Sequence, residues 1–191
     1  MKNPSELTLD EAFIQYPRLD THIGNPDAQY QNDLTATKTK PIKAKHIQLI
    51  LTDNSVFAKF LLSTLEGVQV LKANAMVCIG IDNDAWQQDQ KKLFAKYSVT
   101  GVDEHGWMTC EPKPDNEVAV ILTDDIKSNY FSLIAQWGDE RIWNGKKVYL
   151  QYGEKGDYIC YNPLDVQDKW IVRKKFFEST YQIKELSAVK A

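Results

Sequence analysis

The chain has 191 residues, 43% hydrophobic and 26% charged, which is enough apolar mass for one large or two small domains without disulfide support. A net charge of −3 gives no overall basic surface of the kind nucleic-acid binders carry, and no apolar run approaches the about 20 residues of a membrane span. Cys78, Cys110 and Cys160 show no Cys-x-x-Cys spacing, and the first residues lack a basic stretch followed by an apolar run, so no signal peptide and a reduced, cytoplasmic setting are expected.

Leu9–Tyr16 is expected to form a short helix. Thr8 caps it, Glu11 completes a capping box, and Pro17 ends it. Leu9, Ala12, Phe13 and Tyr16 share one face, enough to dock on a larger body. A polar lead-in follows to residue 39, with Gly24-Asn25-Pro26-Asp27 as its clearest turn. The lysines alternating from Lys38 to Lys45 fit a solvated strand edge better than a nucleic-acid patch.

A first module is expected over residues 40–100. Ile42–Leu51 looks like a strand with a bulge where its phase changes at His46-Ile47. Asp53 then caps a helix over Ser55–Leu65, stopped by Glu66-Gly67. Val68–Leu71 and Ala75–Ile81 read as strands, Asp82–Asp84 as a turn, and Trp86 opens a third strand or a loop. Lys91–Tyr97 is a helical turn with Leu93, Phe94 and Tyr97 facing inward. Residues 101–114 read as a linker holding a brief strand at Trp107–Cys110.

A second module is expected over 115–183. Val118–Leu122 is a strand, and Asp124 or Asp125 caps a helix over Ile126–Trp137. Gly138–Gly145 is a connection carrying Trp143. Val148–Tyr152, Asp157–Tyr161 and Lys169–Arg173 are strands, Lys174–Tyr181 a closing helical turn, and 184–191 a tail.

These modules read as one unit written twice. Ile-Leu-Thr-Asp occurs at Ile50–Asp53 and at Ile121–Asp124, 71 residues apart, and the same offset aligns Phe60 with Phe131 and Leu62 with Leu133. Further on, Trp86 meets Trp170 and Tyr97 meets Tyr181 at an offset of 84, and Phe94 meets Phe177 at 83. An insertion of about a dozen residues between Leu133 and Lys147 reconciles the two registers, since loops tolerate insertion. The expected fold class is therefore α+β: two related, β-rich modules, each a strand, a helix and a curled antiparallel sheet closed by a helical turn.

Lys155-Gly156-Asp157-Tyr158 and Phe177-Glu178-Ser179-Thr180-Tyr181 resemble the signature and closing motif of the PGDYG-type domain of small phage, prophage and bacterial proteins, with Lys in place of the first Pro. In the first module Thr64-Leu65-Glu66-Gly67 fits the same pattern, while Asn74-Ala75-Met76 has drifted from it. The resemblance implies a fold and a setting among bacterial mobile-element or accessory proteins, and no activity.

Chemical constellations are thin. Asp103, His105 and Cys110 lie close together in a polar turn, which suits a solvated loop better than a Cys-His pair assembled from distant segments. Cys78 and Cys160 sit mid-strand in near-equivalent places and read as small core residues. Asp82, Asp84, Asp165 and Asp168 fall in matching loops as turn formers. His22, His46 and His105 lack metal-ligand spacing, and no glycine-rich phosphate loop is present. No catalytic residue, metal or cofactor is assigned.

The aromatic excess carries the functional expectation. Trp107, Trp137, Trp143, Tyr149, Tyr152 and Tyr161 exceed what a small module must bury, and Trp, Tyr and Arg anchor protein interfaces. Trp137, Arg141, Trp143 and Tyr152 are the expected binding residues. The expected function is a non-catalytic protein-interaction or accessory protein of bacterial or phage origin, with another protein as its partner. The alternative is a small-molecule or nucleotide binder with a pocket between the modules.

Overall fold

The computed structural model describes residues 4–20, 23, 34–53, 61–64, 67–81 and 83–184. In chain order a 3-10 turn at Pro4–Glu6 leads to α1 (Leu9–Gln15), β1 (Leu34–Lys38), β2 (Ile42–His46) and α2 (Ile47–Asp53). Then come β3 (Leu61–Thr64), β4 (Gly67–Val70), β5 (Ala75–Ile79), β6 (Ala85–Asp89), α3 (Gln90–Lys96), β7 (Tyr97–Val102) and β8 (Met108–Pro112). The rest is β9 (Glu117–Leu122), β10 (Tyr130–Ala135), β11 (Asp139–Trp143), β12 (Lys146–Glu154), β13 (Tyr158–Asn162), β14 (Asp165–Val172), α4 (Lys174–Thr180) and β15 (Tyr181–Lys184). The fold is mostly β with a few one- to two-turn helices, an α+β protein in the loose sense.

The chain divides into two compact units: residues 38–116, and residues 1–37 together with 117–191. In the second of these the five-stranded sheet runs β14-β13-β9-β1-β15, antiparallel from β14 through β1. Strand alternation sorts its side chains. Val118, Val120, Tyr158 and Cys160 face α4, where Phe177 stacks between Tyr158 at 3.8 Å and Tyr181 at 4.7 Å. Ile121, Ile159 and Ile171 face the other way, onto Phe131 and Leu133 of a second sheet ordered β10-β12-β11. Phe131 lies opposite Gly153, and a Cβ there would come within 2.3 Å of its ring, so only glycine lets the ring lie flat on β12.

The unit formed by 38–116 has a five-stranded sheet ordered β6-β5-β2-β8-β7. Ile42, Ala44, Met76, Cys78 and Cys110 project from it onto Leu93 of α3 and onto Tyr97. Asp89 caps α3, its carboxylate accepting from the Lys91 and Lys92 amides. A hairpin of β3 and β4 packs beside β6.

Several expected elements take another form. Ile126–Trp137 is not a helix: β10 runs through it, with Phe131 and Leu133 on one face and Tyr130 and Ser132 on the other. The i, i+4 spacing of its apolar residues was compatible with a helix, and pairing with β12 selected the period of two. The strand expected over Ile42–Leu51 stops at His46. The phase change at His46-Ile47 is the start of α2, not a bulge. Gly138–Gly145 is a hairpin containing β11 rather than a bare connection. Residues 101–114 carry the end of β7 and all of β8, both inside a sheet. The helix expected over Ser55–Leu65 falls largely outside the described residues, and its described part, Leu61–Thr64, is strand. The Gly24–Asp27 turn, His22, Phe60 and Asp82 also lie outside the described residues.

Candidate functional site

Three of the four expected binding residues converge on one face of the β10-β12-β11 sheet. Side chains at alternate positions of β11 share a face, so Asp139, Arg141 and Trp143 point the same way, and Tyr152 of β12 joins them. That face holds the chain's own N-terminal segment.

The segment is gripped at three levels. At its start, Arg141 Nη2 donates to the Pro4 carbonyl at 2.7 Å and Nη1 to the Leu7 carbonyl at 2.8 Å. Its Nε donates to Asp139 at 2.8 Å. Burial works against the guanidinium charge, but the Asp139 hydrogen bond and charge outweigh it and hold the pKa above its usual value. Tyr152 Oη donates to the same Asp139 carboxylate at 3.2 Å, and burial raises its pKa, so the phenol stays a donor.

In the middle sits α1, with both bonds of its Thr8–Glu11 capping box formed. Tyr16 packs edge-on against Tyr130 at 5.5 Å and Tyr152 at 5.0 Å. Phe13 meets Trp143 at 5.8 Å, and the Arg18 guanidinium lies 4.7 Å from the Trp143 ring and 5.4 Å from that of Phe13. Asp20 orients Arg18 through two contacts of 3.1 and 2.7 Å. At the end, Pro17–Leu19 adds to the edge of β10 as a short parallel bridge. The Ser132 amide donates to the Pro17 carbonyl and the Leu19 amide to that of Ser132, each at 3.0 Å. The buried Ser132 hydroxyl donates to the Tyr16 carbonyl at 2.8 Å.

Trp137 is not part of this face. It stacks on Trp170 at 6.4 Å, and its carbonyl accepts from Gln151. Phe13 lies on the α1 face expected to dock, whereas Arg18, Tyr130 and Ser132 belong to the site and were not foreseen. A sequence cue for Arg18 is that Arg18-x-Asp20 and Asp139-x-Arg141 are two self-paired arginines of the same spacing.

A second node explains the Lys155–Tyr158 motif. Gly156 has φ +94°, a conformation favouring glycine, and its amide donates to Thr123 Oγ1 at 3.0 Å. This turn presents the buried Asp157 carboxylate to the Glu154 and Lys174 amides, each at 3.0 Å, and to Arg173 at 2.9 Å. The Lys174 amide opens α4, whose own N-cap, Arg173, makes no side-chain cap bond, so Asp157 caps the helix from 17 residues away. Lys155 donates to the Ile126 carbonyl.

The remaining groups hold structure. Asp103 Oδ1 accepts from the Trp107 and His105 amides, which lowers its pKa. Cys78, Cys110 and Cys160 are buried and form no disulfide, and burial pushes the Cys78 thiol up to about 12. Asp165 accepts from the Gln167 amide, and the Asp84 carboxylate occupies the space above Gly80. Among the described residues no three His, Cys, Asp or Glu side chains gather as a metal site, and no helix is long and apolar enough to cross a membrane.

Compared with known proteins, the chain matches no family model, no curated protein and no solved structure.

Proposed function

We propose that this chain is a non-catalytic interaction protein whose partner docks on the face carrying Arg141, Trp143 and Tyr152. The observation that carries the reading is the arginine clamp. Two of the Arg141 bonds go to main-chain carbonyls of residues 4 and 7, so the face recognises a helical turn by its backbone while the aromatic rings hold whatever apolar side chains it presents. Residues 4–19 act as its built-in ligand. Ring contacts of about 0.5–1.5 kcal/mol each hold that segment without making it immovable, so a partner helix can compete for the seat. In affinity purification from the native host, the Trp143→Ala variant is expected to lose a partner that the wild type retains, while circular dichroism reports the same fold. Equal capture by a folded Trp143→Ala chain refutes the reading.

The two units, in this proposal, descend from one duplicated unit. Cys78 lies opposite Trp86 and Ala44, and Ala44 opposite Met108. Cys160 lies opposite Trp170 and Val120, and Val120 opposite Leu34. Leu62 pairs with Gln69 as Leu133 pairs with Gln151, and the β11 hairpin occupies the position of the expected insertion. Tyr97 and Tyr181 each follow a seven-residue helix and donate their amides back to it, to Leu93 and Phe177. The alignment that supports the reading thus pairs Leu93, not Phe94, with Phe177. It does not extend to Ile50–Asp53, which is helical where Ile121-Leu122 is strand. The fourth place of each sheet is filled out of order, by β1 beside β9 and by β8 beside β2. Each of these strands precedes, through Lys40-Pro41 or Lys113-Pro114, the first strand of the other unit's hairpin system. The copies are therefore read as having exchanged their leading strands. Kinship with PGDYG-type proteins is part of the same proposal, supported by the motif turn and closing helix that Asp157 ties together.

A further inference from the structure

We propose that β7 is a self-association edge that pairs antiparallel with β7 of a second copy of this chain. The two edges of the β6-β5-β2-β8-β7 sheet differ. Beside β6 the β3–β4 hairpin is packed, and Gln87 accepts from the Lys72 amide at 3.0 Å and donates to the Val70 carbonyl at 2.8 Å, so that edge is closed. Beyond the buried Tyr97, β7 exposes every residue from Ser98 to Val102. Val99 is 42% and Val102 64% exposed. Natural edge strands are normally protected by lysines, prolines or cover, and Tyr97-Ser98-Val99-Thr100-Gly101-Val102 contains no charge and no proline.

The one irregularity helps to define the surface. The β7–β8 register shifts between Val99 and Gly101, with Val99 opposite Cys110 and Val102 opposite Met108. Cys110 and Met108 are two residues apart and face the same core, so Val99 and Val102 share that face although they are three residues apart. The apolar face therefore runs off the end of the sheet. The bulge also twists the strand and shortens its flat run, which favours one closed pairing over open stacking.

The flanking charges select the occupant. The strand is preceded by Lys96, the last residue of α3, and followed by Asp103, whose exposed carboxylate also lies 3.4 Å from Lys43. Antiparallel self-pairing with Val99 opposite the partner copy's Thr100 also sets Tyr97 against Val102, Ser98 against Gly101, and Lys96 against Asp103 at both ends. In-register parallel pairing sets lysine against lysine, and a two-residue slip sets Lys96 against Gly101 or Asp103 against Ser98, so the charge pair is lost. Opposite charges across a strand pair stabilise it and like charges oppose it. The edge is thus complementary to itself in one orientation and one register, the condition for a two-fold dimer.

The test is sedimentation equilibrium of the full chain from about 10 µM to 1 mM, the range suited to a small interface. A monomer–dimer equilibrium is expected. Val99→Lys, at a half-exposed position, is expected to weaken it at least about tenfold, and Lys96→Glu, which faces Glu with Asp103, to weaken it in low salt, with Lys96→Arg neutral. Trp143→Ala is expected to leave it unchanged, which separates this interface from the proposed partner face. A wild type that stays monomeric at 1 mM overturns the proposal. So does a dimer indifferent to both Lys96→Glu and Val99→Lys, each melting like the wild type.

Discussion

Asp157 shows how a short motif does its work one side chain at a time. Its carboxylate satisfies two main-chain amides and one guanidinium while almost wholly buried, so removing it leaves donors stranded. Arg173 is 38% exposed, and solvent screening reduces its share. Asp157→Ala is expected to cost about 2–4 kcal/mol, chiefly from the two orphaned amides. Thermal melting checks it: the midpoint falls by roughly 5–15 °C for a chain of this size, and an unchanged midpoint removes Asp157 from its capping role. Gly156-Asp157 was readable as a turn from its residue types. Its capping of α4 was not, because Lys174 is 17 residues downstream and only packing brings the two together.

Among the elements, α1 and β10 mark the limits of local reading. The capping box of α1 rests on contacts three residues apart, so Thr8 and Glu11 announce it directly. What α1 packs against was invisible, since Arg141 lies 134 residues from Leu7. Arg141→Lys is expected to free the N-terminal segment, because an ammonium cannot reproduce a fork that spans two carbonyls and Asp139. Hydrogen exchange at residues 9–19 checks it: these amides are expected to exchange at least about tenfold faster, with the strands of the five-stranded sheets unaffected. Unchanged protection overturns the clamp. β10 failed the other way, its apolar residues fitting two periods until β12 supplied hydrogen-bond partners.

For the whole molecule, the proposed duplication can be tested at β1 and β8. Ala36 and Cys110 occupy matching places, opposite Val118 and Ile42, and both are fully buried. The reciprocal double variant Ala36→Cys with Cys110→Ala swaps their side chains and is expected to melt within about 1 kcal/mol of wild type, because each site already has a counterpart of the other's volume. Ala36→Leu overfills the same place and is expected to cost about 1–3 kcal/mol. A double variant as damaged as Ala36→Leu refutes the equivalence.

Features that depend on neighbours along the chain were legible in the residues alone: the capped α1, the strands at Ala75, Val118 and Asp157, the two closing helical turns, and the burial of Cys78 and Cys160. Their signals are short-range hydrogen bonds and alternation. What depends on partners distant in sequence was set by packing. Packing put β1 beside β9 and β8 beside β2, made β10 a strand, and turned Arg141, Trp143 and Tyr152 toward the N-terminal segment. The reason is physical: a β-strand's hydrogen bonds are completed by another strand, and no window of sequence contains that partner.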